Sequence, residues 1–339
     1  MSPLREWDPE GPRPTFSFYL TPHMVKRDPG IIATADSLCG AITLVGIRGP
    51  RLARQLRIGG LTSSFLFDGF GYGTERAPDP ATWAETQRGG DARQVLLPGV
   101  FVPWDKDSNR DAEAIIRAQA RIAVDLDASL LLAVDSRWIG KRCEFLRDEL
   151  LLAERPACLV LAHRADPLAI GGAAAGLRWI ASRVPELTVL RSDHGAVGAL
   201  AAGAVHASFG LTTTTRHFAP PHFRPTRRPD NSHRVFVLSL LDWFLASDIA
   251  SWVAAGARFH CSLPCCETSL ARFLDPDEKP DLHNMHAVAD FADLICNAPD
   301  VHRGQVFREQ YEAAVQHYGL SGFRGPETPR AQLAAWALS

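Results

Sequence analysis

From residue 129 onward the chain alternates short, wholly apolar runs with longer stretches whose apolar residues recur at helical spacing. Residues 129–134 (SLLLAV) are the kind of run a parallel strand needs when helices cover both its faces, and the run stops on Asp135. A helix is expected over 140–154, a strand over 158–162 ending at His163-Arg164, and a helix over 173–183. Then come a strand over 187–190 ending at Arg191-Ser192-Asp193-His194, a short alanine-rich helix over 196–204, and a strand over 206–211 running to Arg216-His217. Upstream the alternation is rougher. Residues 15–20 (TFSFYL) read as a first strand with His23 just beyond it, and 31–45 hold weaker apolar segments broken by glycines. Residues 65–68 form a clear strand; helices are expected over 80–88 and 111–126, with a strand at 95–97 between them.

Strand-then-helix units with a polar or charged residue closing each strand make a parallel α/β protein. No Gly-x-Gly-x-x-Gly turn follows the first strand. The expectation is therefore a TIM-like (β/α)8 barrel and not a doubly wound dinucleotide-binding sheet. In such a barrel Asp68, Asp135, His163, Arg164, Arg191 and Asp193 all stand at the C-terminal rim, where chemistry is done. The organising stretch is 64–73 (SFLFDGFGYG), an apolar run that ends on Asp68 and opens into a glycine-punctuated, aromatic turn. Asp68 is the first catalytic candidate, and a helix cap is its plainer alternative.

Composition narrows the partners. A net charge of −2 across 339 residues gives no global basic field, so any polyanion site must be a local patch. Residues 218–234 supply one: a proline-rich stretch carrying Arg224, Arg227, Arg228 and Arg234 with aromatics among them, suited to backbone phosphates and stacked bases. A solvated loop whose arginines pair with acids is the alternative. Residues 235–238 return to a strand, and 242–255, with Trp243 and Trp252, read as a buried helix. Residues 1–14 lack an apolar core, no run approaches membrane-span length, and seven cysteines without a secretory signal point to reduced thiols or a metal, hence a cytoplasmic protein. Cys261, Cys265 and Cys266, followed a helix later by His283, offer four soft ligands for a closed structural zinc site, with His286 as the substitute. Such a site would clip helices at 285–295 and 305–318 onto the barrel. The expected organisation is a flexible 1–14, a barrel over 15–258, a zinc-binding helical extension over 259–325 and a tail over 326–339.

A parallel barrel with a late three-cysteine, one-histidine clip, the histidine followed by Asn284, resembles the tRNA-guanine transglycosylase superfamily, including its DNA-acting 7-deazaguanine branch. Phe67-Asp68-Gly69-Phe70-Gly71 is similar to the family's Asp-Ser-Gly-Gly-Phe turn, whose aspartate contacts the reacting nucleotide. The segment 204–217 looks like the strand that carries the family's aspartate nucleophile and basic tail. Here the chain departs from the pattern: 206–212 read HASFGLT, with no acid at the nucleophile's place, and the Cys-x-Cys-x2-Cys zinc spacing has become Cys-x3-Cys-Cys.

Base exchange needs a covalent glycosyl-enzyme, hence a carboxylate against the anomeric carbon. Without it, a remaining carboxylate would activate water, and the expected reaction is hydrolysis of a nucleobase N-glycosidic bond. Asp68, then Asp135, are the candidates for acid near the sugar, and Arg191, Asp193 and His194 for the departing base. His23, Tyr72 and Trp104 are candidate walls for a flipped base, with His163, Arg164, Arg216 and His217 as further substrate contacts. DNA is expected before tRNA, a modified base before a plain one, as in defence against phage, with a homodimer as the assembly. A base-exchanging transglycosylase, an inactive nucleic-acid-binding barrel and a small-molecule hydrolase or lyase are the alternatives.

Overall fold

The computed structural model describes residues 13–74, 77–220, 233–263, 265–266, 268–275, 277–318, 329, 333, 335 and 336. Its strands are β1 (Thr15–Leu20), β2 (Ala41–Val45), β3 (Ser64–Asp68), β4 (Ala92–Gln94), β5 (Val100–Val102), β6 (Leu130–Asp135), β7 (Ala157–Ala162), β8 (Thr188–Ser192), β9 (His206–Gly210), β10 (Arg234–Val237) and β11 (Asp242–Leu245). The helices are α1 (Pro22–Arg27), α2 (Gly30–Leu38), α3 (Gly49–Ile58), α4 (Pro80–Arg88), α5 (Arg110–Asp125), α6 (Ser136–Lys141), α7 (Cys143–Leu152), α8 (Ala173–Ala181), α9 (Ala196–Ala201), α10 (Thr213–Arg216), α11 (Ala246–Ala254), α12 (Asp281–Cys296) and α13 (Asp300–Tyr318). Local chemistry starts several of them. Thr21 and Asp79 cap α1 and α4 by accepting the N–H of Met24 and Thr82, each with proline at the first helical position.

The main sheet is parallel throughout, in the order β4-β3-β2-β1-β9-β8-β7-β6-β5. Its two outermost strands follow one another in the chain, and the residues between them bond to the start of β6: Ser129 N–H donates to Val95 O at 2.8 Å, Leu97 N–H to Ser129 O at 3.0 Å. Residues 92–102 thus form one interrupted stave, pairing first with β3 and then with β6. The sheet closes on itself, nine strands making eight staves, and the expected TIM-like α/β barrel is present. The buried Gln87 of α4 bonds both backbone groups of Leu96 at the interruption, at 2.6 and 3.0 Å. No helix among the described residues is long and apolar enough to cross a membrane.

The covering helix that follows β9 is delayed. After β9 the chain makes the short α10, crosses the barrel mouth, builds the β10–β11 hairpin and α11, and only then enters α12, which packs against α2, α9 and β1. Two expectations are corrected here. Asp242–Leu245 is not the start of a buried helix but a strand paired with β10, so Trp243 is a sheet residue packed on Phe236 and only α11 is helical. The helix expected over 140–154 is two helices, broken at Arg142, whose extended φ of −139° interrupts the ladder.

Strand residues alternate between the faces of the barrel. Phe16, Phe18 and Phe209 pack together on the outer face. The lumen is polar: His206 bonds Thr15 Oγ1 at 2.8 Å and Ser17 Oγ at 2.9 Å, and Ser17 bonds Thr43 at 2.8 Å. His206 pairs in register with Thr15, so this layer lies at the N-terminal floor of the barrel, the end whose residues serve stability. Burial holds the His206 imidazole neutral, lowering its pKa from 6.5 to about 3. In the unfolded chain it takes a proton that the folded chain refuses. Stability should therefore fall as pH drops from 6.5 toward about 3, by about 1.4 kcal/mol per pH unit from this group alone. Urea melts between pH 4 and 7 should show this slope, flattened in His206→Asn.

Candidate active site and metal centre

At the opposite end of the lumen stands Asp68, the last residue of β3 and wholly buried. Its Oδ2 accepts from the phenols of Tyr19 and Tyr72, each at 2.5 Å, and its Oδ1 from the N–H of Phe70 at 2.8 Å. The two phenols are 3.1 Å apart. Since β1 and β3 are not neighbours, the Tyr19 bond spans the lumen above β2. Burial raises the Asp68 pKa, and the donors from Tyr19, Tyr72 and Phe70, with the charge of Arg191, pull it back. Both phenols are pushed well above their usual value, by burial first and then by the Asp68 charge.

Glycine makes the Tyr72 position accessible. A Cβ on Gly71 would stand 2.8 Å from the carbonyl oxygens of Pro98 and Gly99, and one on Gly99, whose φ is +80°, would stand 2.5 Å from Leu131 and 2.8 Å from Tyr72. The turn therefore lies flat against the interrupted stave and tips the Tyr72 ring inward. Arg191 comes from β8, where the register shifts between Val189 and Ser192 and its own φ is +49°. Such a bulge re-aims a side chain, here across Tyr19, Phe70 and Phe218 at 6.0, 4.8 and 5.1 Å from the ring centres. Phe218 reaches the mouth because the chain after α10 crosses to the end of β7, where His163 N–H donates to Phe218 O at 2.9 Å. Its ring lies 4.8 Å from Tyr72 and 5.9 Å from Phe101, closing an aromatic cover over the Asp68 cluster.

The other rim candidates lie elsewhere. Asp135 is bound by its own neighbour: Arg137 gives Nε and Nη2 at 2.8 and 2.7 Å, and its N–H at 3.0 Å, which makes Asp135 the cap of α6. His163 is half-buried, its pKa lowered by burial against the Asp135 charge, and Arg164 and His23 are exposed. Trp104 stands edge-on to Trp138 at 5.5 Å, beside Lys141 and outside the Asp68 cluster. His194 is buried between Phe236 and Tyr311, under the β10–β11 hairpin and α13, and does not face the mouth. Arg216 is also buried, its guanidinium 3.9 Å over the Trp243 ring. Arg234 opens β10, and its carbonyl accepts from Asn284. Arg224, Arg227 and Arg228 lie outside the described residues.

Asp193 belongs to a second group. Its Oδ2 meets His217 Nε2 at 3.0 Å, and Asp166 lies beside them. Burial, then the Asp193 charge, pushes Asp166 up to about 7. Tyr19, Phe218 and Asp166 were not singled out in the sequence. The alternation of β1 marks Tyr19 as inward-facing, but nothing local signals the crossing that brings Phe218 over the mouth.

The four soft ligands do meet. Ligand atoms of Cys261, Cys265, Cys266 and His283 lie within 4.8 Å of one another. Cys265 and Cys266 sulfurs are 3.8 Å apart, and His283 Nδ1 is 3.4 Å from Cys266 and 4.0 Å from Cys265. Tetrahedral zinc bond lengths imply about 3.8 Å between sulfurs and about 3.6 Å between sulfur and nitrogen, so the donors are spaced for one such ion. His283 Nε2 lies 2.9 Å from Phe236 O, a bond that fixes the ring with Nδ1 toward the thiols. Asn284 clamps the same hairpin, accepting from Phe236 N–H and donating to Arg234 O. A cavity of about 260 Å3 adjoins this cluster and includes no rim carboxylate among its lining residues.

No protein-family model matches the chain, and no curated protein does. Among solved structures it is similar to 3-keto-L-gulonate-6-phosphate decarboxylase from Vibrio cholerae, with a TM-score of 0.35 and 13% identity over 58% of this chain and 87% of that one. It is also similar to type I 3-dehydroquinate dehydratase from Clostridium difficile (TM-score 0.36, 8% identity, 62% and 89% covered) and 3-dehydroquinate dehydratase from Aquifex aeolicus (0.34, 9%, 60% and 93%). Likeness at this level carries no argument about the reaction. The transglycosylase resemblance rests on the sequence motifs alone.

The bonding of Asp135 makes it a structural residue. Asp135→Ala should lower thermal stability by about 1–3 kcal/mol through loss of the cap and the ion pair. Asp135→Asn, which keeps a capping oxygen, should lose less in the same melting experiment.

Proposed function

We propose that this protein hydrolyses the N-glycosidic bond of a modified base in DNA, with Asp68 as the group that activates water. The observation that carries the proposal is the Asp68 cluster: a buried carboxylate, two phenols and an arginine at the catalytic end of a parallel barrel, on the turn where the resemblance puts the nucleotide-contacting aspartate. The inward positions of β9, His206, Ser208 and Gly210, carry no carboxylate, which favours attack by water over a covalent intermediate. A carboxylate whose pKa is raised by burial is a stronger base than a solvated one, and Tyr19 and Tyr72 hold it in one orientation. In the reaction, Asp68 takes a proton from water as its oxygen adds to the anomeric carbon, the carbon–nitrogen bond breaks with its electron pair leaving on the base, Arg191 offsets that negative charge, and the base takes its proton from solvent. Phe70 and Phe218 supply ring faces for stacking, and entry of the base displaces Phe218 from Tyr72.

The test is incubation of the protein with unmodified DNA and with heavily modified phage DNA, followed by an abasic-site assay and mass spectrometry of released bases. Release is expected from the modified DNA, reduced about 10²- to 10⁴-fold in Asp68→Asn. Equal release from unmodified DNA, or none from either, would overturn the proposal, and base exchange without net hydrolysis would favour a transglycosylase.

The Cys3His cluster is the site for zinc in this proposal, a structural ion in a four-donor shell that has no place for a catalytic water. Elemental analysis should find one zinc per chain. Cys266→Ser should lose most of it and lower the melting temperature, with cleavage impaired only as far as folding is.

A further inference from the structure

Away from Asp68, three ligand-type side chains arrive from three successive strand ends: Asp166 after β7, Asp193 after β8 and His217 after β9. One donor atom from each lies within 4.8 Å of the others. Each carboxylate is oriented by a backbone N–H, Leu168 to Asp166 Oδ1 and Gly195 to Asp193 Oδ1, both at 2.9 Å, and the second oxygen of Asp193 already meets the third member, His217, at 3.0 Å. Tyr311 of α13 lies close by, its ring stacked at 6.4 Å on that of His194, the residue after Asp193. Its side chain is wholly buried and its hydroxyl has no hydrogen-bond partner among the described residues. The charges of Asp193, Asp166 and Asp242 all act on that phenol. An unbonded buried hydroxyl costs about 1–3 kcal/mol, so a buried phenol that feels three carboxylates and bonds none of them calls for a further partner such as a bound water.

We infer that Asp166, Asp193 and His217 form a binding site for a divalent first-row transition cation, with Tyr311 donating its hydroxyl hydrogen to a water on the metal. Two carboxylates and an imidazole make a mixed oxygen–nitrogen set, which suits manganese, iron(II) or zinc; calcium takes oxygens alone. His217 Nε2 lies 3.0 Å from Asp193 Oδ2, a pair that a cation would engage as two ligands. Three protein ligands leave positions open for water or an oxyanion, in contrast to the four-donor cysteine site. The site is independent of the proposed glycosidic reaction. It adjoins the elements of that reaction at two points, since Asp193 follows Arg191 by two residues and His217 immediately precedes Phe218.

The test uses protein adjusted to one zinc per chain, which fills the thiolate site, freed of excess zinc by dialysis, titrated with Mn2+ and followed by the electron paramagnetic resonance of free Mn2+. Saturable uptake of one Mn2+ per chain is expected, with pulsed spectra showing a histidine nitrogen bound to the metal. Asp166→Asn and His217→Gln should each weaken uptake at least about 10- to 100-fold, and Tyr311→Phe by less, as a partner of a ligand does. Asp135→Asn should leave it unchanged. No saturable uptake, uptake without nitrogen coupling, or uptake unaltered in Asp166→Asn would overturn the assignment. The nitrogen coupling is read on the unaltered protein, so the test stands even where a variant fails to fold.

Discussion

A carboxylate inside a closed barrel is tolerable only if its charge is answered where it sits. Burying one without partners costs several kcal/mol, and Asp68 has no contact with solvent. Its answer comes from three directions: a phenol from β1 across the lumen, a phenol and an amide from the turn after β3, and a guanidinium from β8. Each contributor needs its own backbone device. The turn needs Gly71 and Gly99, Arg191 needs the bulge in β8, and Tyr19 needs β1 in a register that points odd-numbered residues inward. The polar floor around His206 follows the same register, since Thr15, Ser17 and Tyr19 share one face. One row of side chains therefore carries both the neutral histidine layer and the acid site above it.

Much of this was legible in the pattern of the chain. The strands at 15–20, 65–68 and 158–162 were expected within one residue of where they lie, because buried parallel strands are continuous apolar runs bounded by charge. The cysteine cluster was legible too, despite its spacing. What the pattern does not carry is set by distant contacts. Residues 242–245 carry two aromatics in a helix-compatible composition, and only pairing with β10 makes them a strand. Asp135 and Asp68 look alike at the ends of their strands. One is bound by an arginine two residues on and the other by tyrosines 49 residues back and four on, and no local rule tells the two apart.

The cysteine cluster and the barrel are one mechanical unit. His283 and Asn284 sit on α12, and the side chains of both bond backbone groups of the β10–β11 hairpin, so the helix that packs on β1, α2 and α9 also anchors the insertion. The insertion in turn brings the charge of Asp242 to bear on Asp166 and Tyr311. Rim chemistry and helix packing are thus tied through two consecutive residues in the first turn of α12.

The closing seam between β1 and β9 bears on the birth of the protein. Ser17 and His206, bonded across that seam, are 189 positions apart. As the chain leaves the ribosome, β1 can pair with β2 early, but its other edge stays open until nearly two-thirds of the polypeptide has been made. An unpaired parallel edge is a template for intermolecular pairing, and contacts of such long range form slowly. The polar inner face of β1 lowers that hazard. Thr15, Ser17 and Tyr19 can remain hydrated while they wait, so the seam that later buries a histidine begins as the least adhesive side of the nascent strand.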